Sequence, residues 1–357
     1  MMKYKYVPVF RSRQQENVVL TEFDFGDYMM PMIEVIKEKD RVNNKDESEK
    51  IYKDLIESVN TKKILVDLPI YLSPTPSTAD EVIKFFRNTI SRLDKRISFY
   101  SSLNTISAKV IPVVSSLAQE TGEIDTVKTQ FNSLKNYFSS IAFRIFFNGF
   151  EHSMTELRGC SMRDADIIIY DLDTIPVTNP IIKKHSRAIH ESFPNNFTII
   201  IRSAINTDIQ NIRLAHGEVI GEADNSLLEL YNNSNYGFSA FGDYVGIKKD
   251  EISSGGTISP GFIFYDPIDN VYYGFKGNAK NLSEFETTIV PSVLDSDVVS
   301  NIERTKEEFL INNAGYETLK NIRDNRESGK NQAKFKKISM QHYLHCIKTK
   351  VNLGELN

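Results

Sequence analysis

The chain has 357 residues, 40% of them hydrophobic and 25% charged, with a formal net charge of −4. These are the proportions of an ordinary soluble globular protein, and the near-neutral balance gives no global pull toward nucleic acid or membrane. Two cysteines far apart, Cys160 and Cys346, fit a reduced cytoplasmic protein and form no CxxC pair, and no stretch approaches the roughly 18 consecutive apolar residues of a membrane span.

Tyr6–Phe10 is the first apolar segment, followed by Arg11, Arg13 and Glu16 and a short helix-compatible stretch. Met29–Ile36 is the second, with Glu34 near its end and Lys37 beyond. After the charged loop Asp40–Glu49, Ile51, Leu55, Ile56 and Val59 keep helical spacing. Ile64–Leu68 is a third strand carrying Asp67. A Pro-rich loop, Ser73–Thr78, leads into a helix expected to run to about Arg96 with Val82, Phe85, Phe86, Ile90 and Leu93 on one face. Lys109–Ser115 is the fourth strand, and Thr121–Phe138 is read as one helix.

Ile141–Phe147 is the fifth strand, with Arg144 in its middle, and a helix is expected over roughly Met154–Met162. Ala165–Asp173 is an uninterrupted apolar run ending in Asp171 and Asp173. A strand apolar at consecutive positions is covered on both faces, which suits a parallel sheet packed by helices. A helix over Pro180–Phe193 starts with Pro in its first turn. Phe197–Arg202 follows as the seventh strand. A weaker helix over Ser226–Asn232 precedes an eighth strand ending at Gly242-Asp243-Tyr244.

The eight strands begin near residues 6, 31, 64, 110, 141, 166, 197 and 237, each spacing long enough for a strand plus a crossover helix. Roughly 250 residues is the usual extent of a TIM-like (β/α)8 barrel of the α/β class. An open doubly wound sheet would need edge strands and usually a Gly-rich first turn, and neither signal is present. Residues 1–247 are therefore assigned to the barrel. In residues 248–357, Phe262–Asp266 and Val271–Phe275 flank Pro-Ile-Asp-Asn as a β-hairpin, and helices are expected over Ser300–Gly315 and Gln332–Lys350. This part is read as a hairpin and helical elaboration rather than a separate domain.

A barrel of this kind gathers charged groups from several strands at its C-terminal mouth: Arg11, Arg13, Glu34, Lys37, Asp67, Arg144, Asp171, Asp173, Arg202 and Asp243. Charges among apolar runs are costly unless paired. They would form either a ligand site, with carboxylates as acid/base groups or metal ligands and arginines for an anion, or an ion-pair plug with Arg144 and Arg202 neutralising Asp67 and Asp171. No histidine reaches the mouth, which weighs against catalysis and leaves enzyme status undecided.

No GxGxxG, Walker A, HExxH, GxSxG or metal-spaced Cys/His cluster occurs, so no motif requires a cofactor and the metal question stays open. Ser253-Ser-Gly-Gly256 reads as a flexible turn. The basic run Lys330–Lys337 has only Phe335 as a stacking aromatic and reads as a solvated loop, so nucleic acid is not an expected partner. The hairpin aromatics pack as core. Were they exposed, Phe264, Tyr265, Tyr272 and Tyr273 would be the first candidates for a protein interface.

Tyr6-Val-Pro-Val-Phe-Arg11 with Glu16, Pro31-Met-Ile-Glu34, and Phe241-Gly-Asp-Tyr244 before an aromatic hairpin together resemble the Beta protein family, over about residues 4–280. The family is named for the Beta component of the gop–beta–cll cassette carried by a satellite phage. The resemblance implies a role in antiviral defence, with Beta restraining the killer protein of the same cassette in the manner of an antitoxin or immunity protein. It implies a toxic protein partner, and it carries over no catalytic residue assignment. The alternative from the residues themselves is a barrel hydrolase or a nucleotide- or phosphodiester-binding enzyme using the carboxylate/arginine mouth. Oligomeric state is not encoded in any motif.

Overall fold

The computed structural model describes residues 3–39, 45–71, 78–249 and 259–356. Residues 40–44 of the charged loop, most of the Pro-rich loop and Ser253-Ser-Gly-Gly256 lie outside the described residues. The chain divides into two compact units, one running to Arg202 and resuming over Glu229–Asp243, the other holding Ser203–Leu228 and most of the chain after Asp243.

In the first unit the strands are β1 (Tyr6–Arg11), β2 (Met32–Glu34), β3 (Ile64–Asp67), β4 (Val110–Val114), β5 (Ala142–Phe146), β6 (Ile167–Asp171) and β7 (Phe197–Ile201). After the two-residue β8 (Glu218–Val219), which belongs to another sheet, β9 (Ala240–Asp243) completes the set. These eight, β8 left out, are all parallel and close into a barrel in the order β1-β2-β3-β4-β5-β6-β7-β9, with β9 pairing β1 through Tyr6 opposite Phe241. The expected (β/α)8 barrel is therefore the fold, and every barrel strand starts within three residues of its predicted position.

Closure explains the apolar strand sequences. Side chains alternate across a strand, so Ile167 and Ile169 face the barrel interior while Ile168 and Tyr170 face the surrounding helices. All four are completely buried. Tyr170 shows the outward direction: it packs against Phe150 of α7 (Phe150–Arg158) and its hydroxyl bonds His185 of α8 (Ile181–Ser192). In α8, Ile182, His185, Ser186 and Ile189 are buried at helical spacing, as a helix covering a sheet requires. The remaining helices of this unit are α1 (Gln14–Glu22), α2 (Ser48–Ser58), α3 (Asp80–Phe85), α4 (Leu93–Ser102), α5 (Ala118–Thr121) and α6 (Thr126–Leu134).

Two long predicted helices are each broken. The one expected to reach Arg96 runs as α3, passes through a π-helical turn over Phe86–Ile90, ends, and restarts as α4 after an extended Arg92. Ser91 supports the break by donating both its N–H and its hydroxyl to the Phe86 carbonyl. The buried Arg96 accepts the exposed end, donating Nη1 to the carbonyl of Ile90 at 3.0 Å. The expected helix Thr121–Phe138 is broken after its first residue. Thr121 ends the short α5, which Gly122, with φ +73°, closes by donating to the Ala118 carbonyl, and the rest forms only as α6, ending at Leu134. The Glu156 carboxylate then caps α6, accepting the Val127 N–H at 3.0 Å.

The second unit contains a three-stranded antiparallel sheet, β10 (Gly261–Asp266), β11 (Val271–Lys276) and the short β8, in the order β10-β11-β8. The hairpin is as predicted, and the third strand is an addition that two residues could not announce. Helices α10 (Val290–Leu294), α11 (Asp297–Thr305), α12 (Ala314–Arg323) and α13 (Gln332–Asn352) complete this unit; α9 (Leu227–Asn232) lies earlier, where the chain returns to the first unit. The helix predicted over Ser300–Gly315 is split because Ser296 and Asn313 each cap a new helix start through their side chains.

Along α13, Phe335 stacks on Phe285, His342 on Phe264, and Tyr343 packs on Tyr265. Phe264, Tyr265 and Tyr272 are thus buried core residues, and only Tyr273 of the four interface candidates is partly exposed. The condition under which they would form a recognition face is not met. Burying a large aromatic or aliphatic side chain contributes about 1.5–3 kcal/mol, so these rings are the adhesive of this unit. Among the described residues, no helix is long and apolar enough to cross a membrane.

Candidate functional site

The strand registers decide which predicted site residues can meet. Arg11 lies opposite Glu34 and Glu34 opposite Asp67 across β1, β2 and β3. On the far side, Arg144 of β5 lies two residues before Phe146, which lies opposite Asp171 of β6. Partners in register share a face of the sheet, so all five side chains point into the barrel at its C-terminal end. Arg144 hydrogen-bonds Glu34, three strands away, which only a path through the interior allows.

Arg144 is the hub, and its side chain is wholly inaccessible, as are those of its three carboxylate partners. Its Nε donates to Asp171 Oδ2 at 2.9 Å, and Nη2 donates to the same oxygen. Its Nη1 donates to Glu34 Oε1 at 2.8 Å and also to Asp67 Oδ2. Glu34 Oε2 accepts Arg11 Nε at 3.3 Å and the Tyr71 hydroxyl, while Asp171 Oδ1 accepts the Asp173 N–H at 2.7 Å. Asp67 Oδ1 has no hydrogen-bond partner among the described residues. Burial, the largest influence, raises the Asp67 carboxyl above its ordinary value; the Arg144 guanidinium opposes that and Glu34 reinforces it.

Tyr71, which follows β3 after Leu-Pro-Ile, was not singled out in the sequence. Its ring lies 4.9 Å from the Arg144 guanidinium carbon and 5.9 Å from that of Arg11, and its edge meets Phe146. Its position just past a strand end was the one available signal. A second layer, also missed, lies behind Asp67: Arg96 Nη1 donates to the Leu68 carbonyl at 2.5 Å and Nε donates to Gln130 Oε1. Tyr100 donates its hydroxyl to the Val113 carbonyl, and burial raises its phenol above the ordinary value. In sequence Arg96 reads as the end of an ordinary amphipathic helix, and Tyr100 lies beyond it in a stretch given no element.

The other predicted residues lie apart from the hub. Asp243 is in register with Pro8, one residue off the interior parity, and accepts the Tyr6 hydroxyl at 2.6 Å on the outward face. Arg202 has the same outward parity after Ile201, is buried, and donates Nε to the Ile175 carbonyl at 2.8 Å. The expected pairing of Arg202 with Asp67 or Asp171 gives way to Arg144, which binds both acids. Arg13 pairs with Glu16 at 3.6 Å and Lys37 with Glu81 at 3.5 Å, and Asp173 is exposed with φ +54°.

Elsewhere, Lys330 and Lys334 of the basic run pair with Glu286 and Glu327. Among the described residues, no three His, Cys, Asp or Glu side chains are grouped to hold a metal ion. The chemistry of the cluster is that of a buried, cross-linked charge network. It joins β1, β2, β3, β5 and β6 across the interior and leaves one carboxyl oxygen unused.

Comparison with known proteins gives one extended match: the model of the family described as Beta protein matches residues 6–348. No curated protein matches the sequence. Among solved structures, a mutant endo-beta-N-acetylglucosaminidase from Cordyceps militaris, in complex with fucosyl-N-acetylglucosamine-Asn, is 10% identical. The likeness covers 71% of this chain and 87% of that one at a TM-score of 0.39.

Proposed function

This chain belongs to the Beta protein family, and on that footing we propose that it is the antitoxin-like, protein-binding member of a phage-encoded antiviral cassette. In this reading it acts in the cytoplasm and restrains the cassette's killer protein by direct association. The observation that carries the reading is the engagement of the interior acids: Glu34, Asp67 and Asp171 all bind Arg144 and are fully buried. Carboxylates tied to guanidinium groups hold a barrel in one shape, and a rigid barrel is a scaffold on which a binding surface can be displayed.

Co-expression of the chain with the other cassette products, followed by affinity purification, tests this. A stoichiometric complex with the killer protein is expected, together with loss of toxicity. Recovery of the chain alone, while the killer remains active, overturns it.

A second reading is a barrel hydrolase or a nucleotide- or phosphodiester-binding enzyme acting at the mouth. Its supporting observation is the unpartnered Oδ1 of Asp67, a carboxyl oxygen not consumed by the network. Release of a nucleotide or phosphodiester from the purified, denatured chain would favour this reading over the first.

A further inference from the structure

Counting the donors around the interior acids leaves one oxygen without a role. Glu34 uses both oxygens, Oε1 for Arg144 and Oε2 for Arg11 and Tyr71. Asp171 uses both, Oδ2 for Arg144 and Oδ1 for the Asp173 N–H. Asp67 uses Oδ2 for Arg144, and Oδ1 is buried with no donor among the described residues. An ionised carboxylate buried in that way would leave a half-charged oxygen unsolvated, among the most costly arrangements a protein interior can hold.

The directly paired charges point the same way: three acids, Glu34, Asp67 and Asp171, pair with two arginines, Arg11 and Arg144, while a third, Arg96, acts on Asp67 without a hydrogen bond to it. Glu34 and Asp67 also converge on the same nitrogen, Nη1 of Arg144, which forces their carboxyl groups together. Like-charged carboxyl groups sharing a site favour protonation of one of them. From α4, Arg96 and Tyr100 also lie near enough to act on Asp67 electrostatically. Arg96 opposes protonation: its Nη1 and Nε are engaged with the Leu68 and Ile90 carbonyls and Gln130, and its Nη2 is buried with no partner among the described residues, so none of its nitrogens bonds Asp67.

We propose that Asp67 is a neutral carboxylic acid with its proton on Oδ1, making the barrel interior a proton-binding site. The inference does not depend on the proposed function. A carboxyl that keeps its proton in the folded state and loses it in the unfolded chain makes stability fall as pH rises. The contribution is whole below the ordinary aspartate value and is lost as pH climbs from there through the raised folded value.

Two measurements test the proposal. Infrared difference spectra of the full chain at pH 7, with and without carbon-13 aspartate, should contain an isotope-shifted carbonyl band of a protonated carboxylic acid, and this band should be missing from Asp67→Asn. In urea titrations, the unfolding constant of the wild type should grow relative to that of Asp67→Asn by about tenfold per pH unit above pH ~4, until the folded carboxyl itself ionises. A wild-type spectrum without the band, or a band that survives in Asp67→Asn, overturns the assignment. So does a folded Asp67→Asn whose pH dependence parallels the wild type. Should Asp67→Asn fail to fold, the wild-type isotope band decides alone.

Discussion

Replacing Arg144 with methionine removes the one group that touches Glu34, Asp67 and Asp171 at once. Methionine has comparable length, so packing changes least while Glu34 and Asp171 lose a counter-ion and Asp67 loses the donor to its Oδ2. Breaking a buried ion pair by deleting one partner costs about 3–5 kcal/mol because an uncompensated charge remains. Glu34 keeps Arg11 and Tyr71, and Asp171 keeps the Asp173 N–H, so the three losses do not add in full. The guanidinium also lies 4.9 Å from the Tyr71 ring and 5.2 Å from that of Phe146. Those contacts contribute roughly 0.5–2 kcal/mol.

A total near 5 kcal/mol equals the whole stability of many domains, which lies at about 5–15 kcal/mol. Arg144→Met is therefore expected to unfold at neutral pH or to melt far below the wild type. It should recover partly in acid, where the orphaned carboxyls take up protons. Urea titrations followed by circular dichroism at pH 5 and pH 8 measure this. A variant within about 1 kcal/mol of the wild type at pH 8, the range typical of exposed ion pairs, would refute the hub role.

Three further outcomes follow from single contacts. Burial holds the His342 imidazole at about 4 against the usual 6.5, with Nε2 donating to the Tyr265 carbonyl and Nδ1 accepting from Asn313. A depressed value means stability present above 6.5 and lost as pH falls through about 4. The full effect is about 3 kcal/mol, and it should flatten in His342→Gln denaturation curves. Alanine at Gly242 would place its Cβ 2.5 Å from the Val7 carbonyl oxygen at the β1–β9 seam. A loss of about 1–3 kcal/mol in thermal melts is expected, and an unchanged melt would mean the seam is looser than described. Tyr71→Phe keeps the ring over Arg144 but removes the hydroxyl bridging Glu34 and Arg11, for about 1.5–3 kcal/mol by urea titration. An equally stable Tyr71→Phe would show that the hydroxyl bond is not formed.

The barrel was legible because most of its strands are apolar runs, such as the branched Ile167–Ile169, at spacings set by crossover helices. The hub was legible for the same reason: Arg144 and Asp171 interrupt such runs, and a charge there must be paired. What the pattern could not supply was parity. Asp171 and Asp243 both end a strand, yet a single residue of register separates an interior side chain from one facing the helices. Asp243 and Arg202 are outward for that reason. Helix ends were also hidden, since the break before α4 depends on Arg96 reaching the carbonyl of Ile90 while it is held by that of Leu68, 28 residues away in the chain. The hairpin aromatics read as core in the sequence, and α13 covers Phe264 and Tyr265 as that reading requires.

Whether the interior acids do chemistry or only hold the barrel is decided most directly by cell survival. Glu34→Gln and Asp171→Asn, each verified as folded, would be produced together with the killer protein that the proposed function assigns as its partner, and growth compared with the wild-type chain. Undiminished protection by both variants is the result predicted for a binding scaffold. Abolished protection by a folded, normally expressed variant would contradict it.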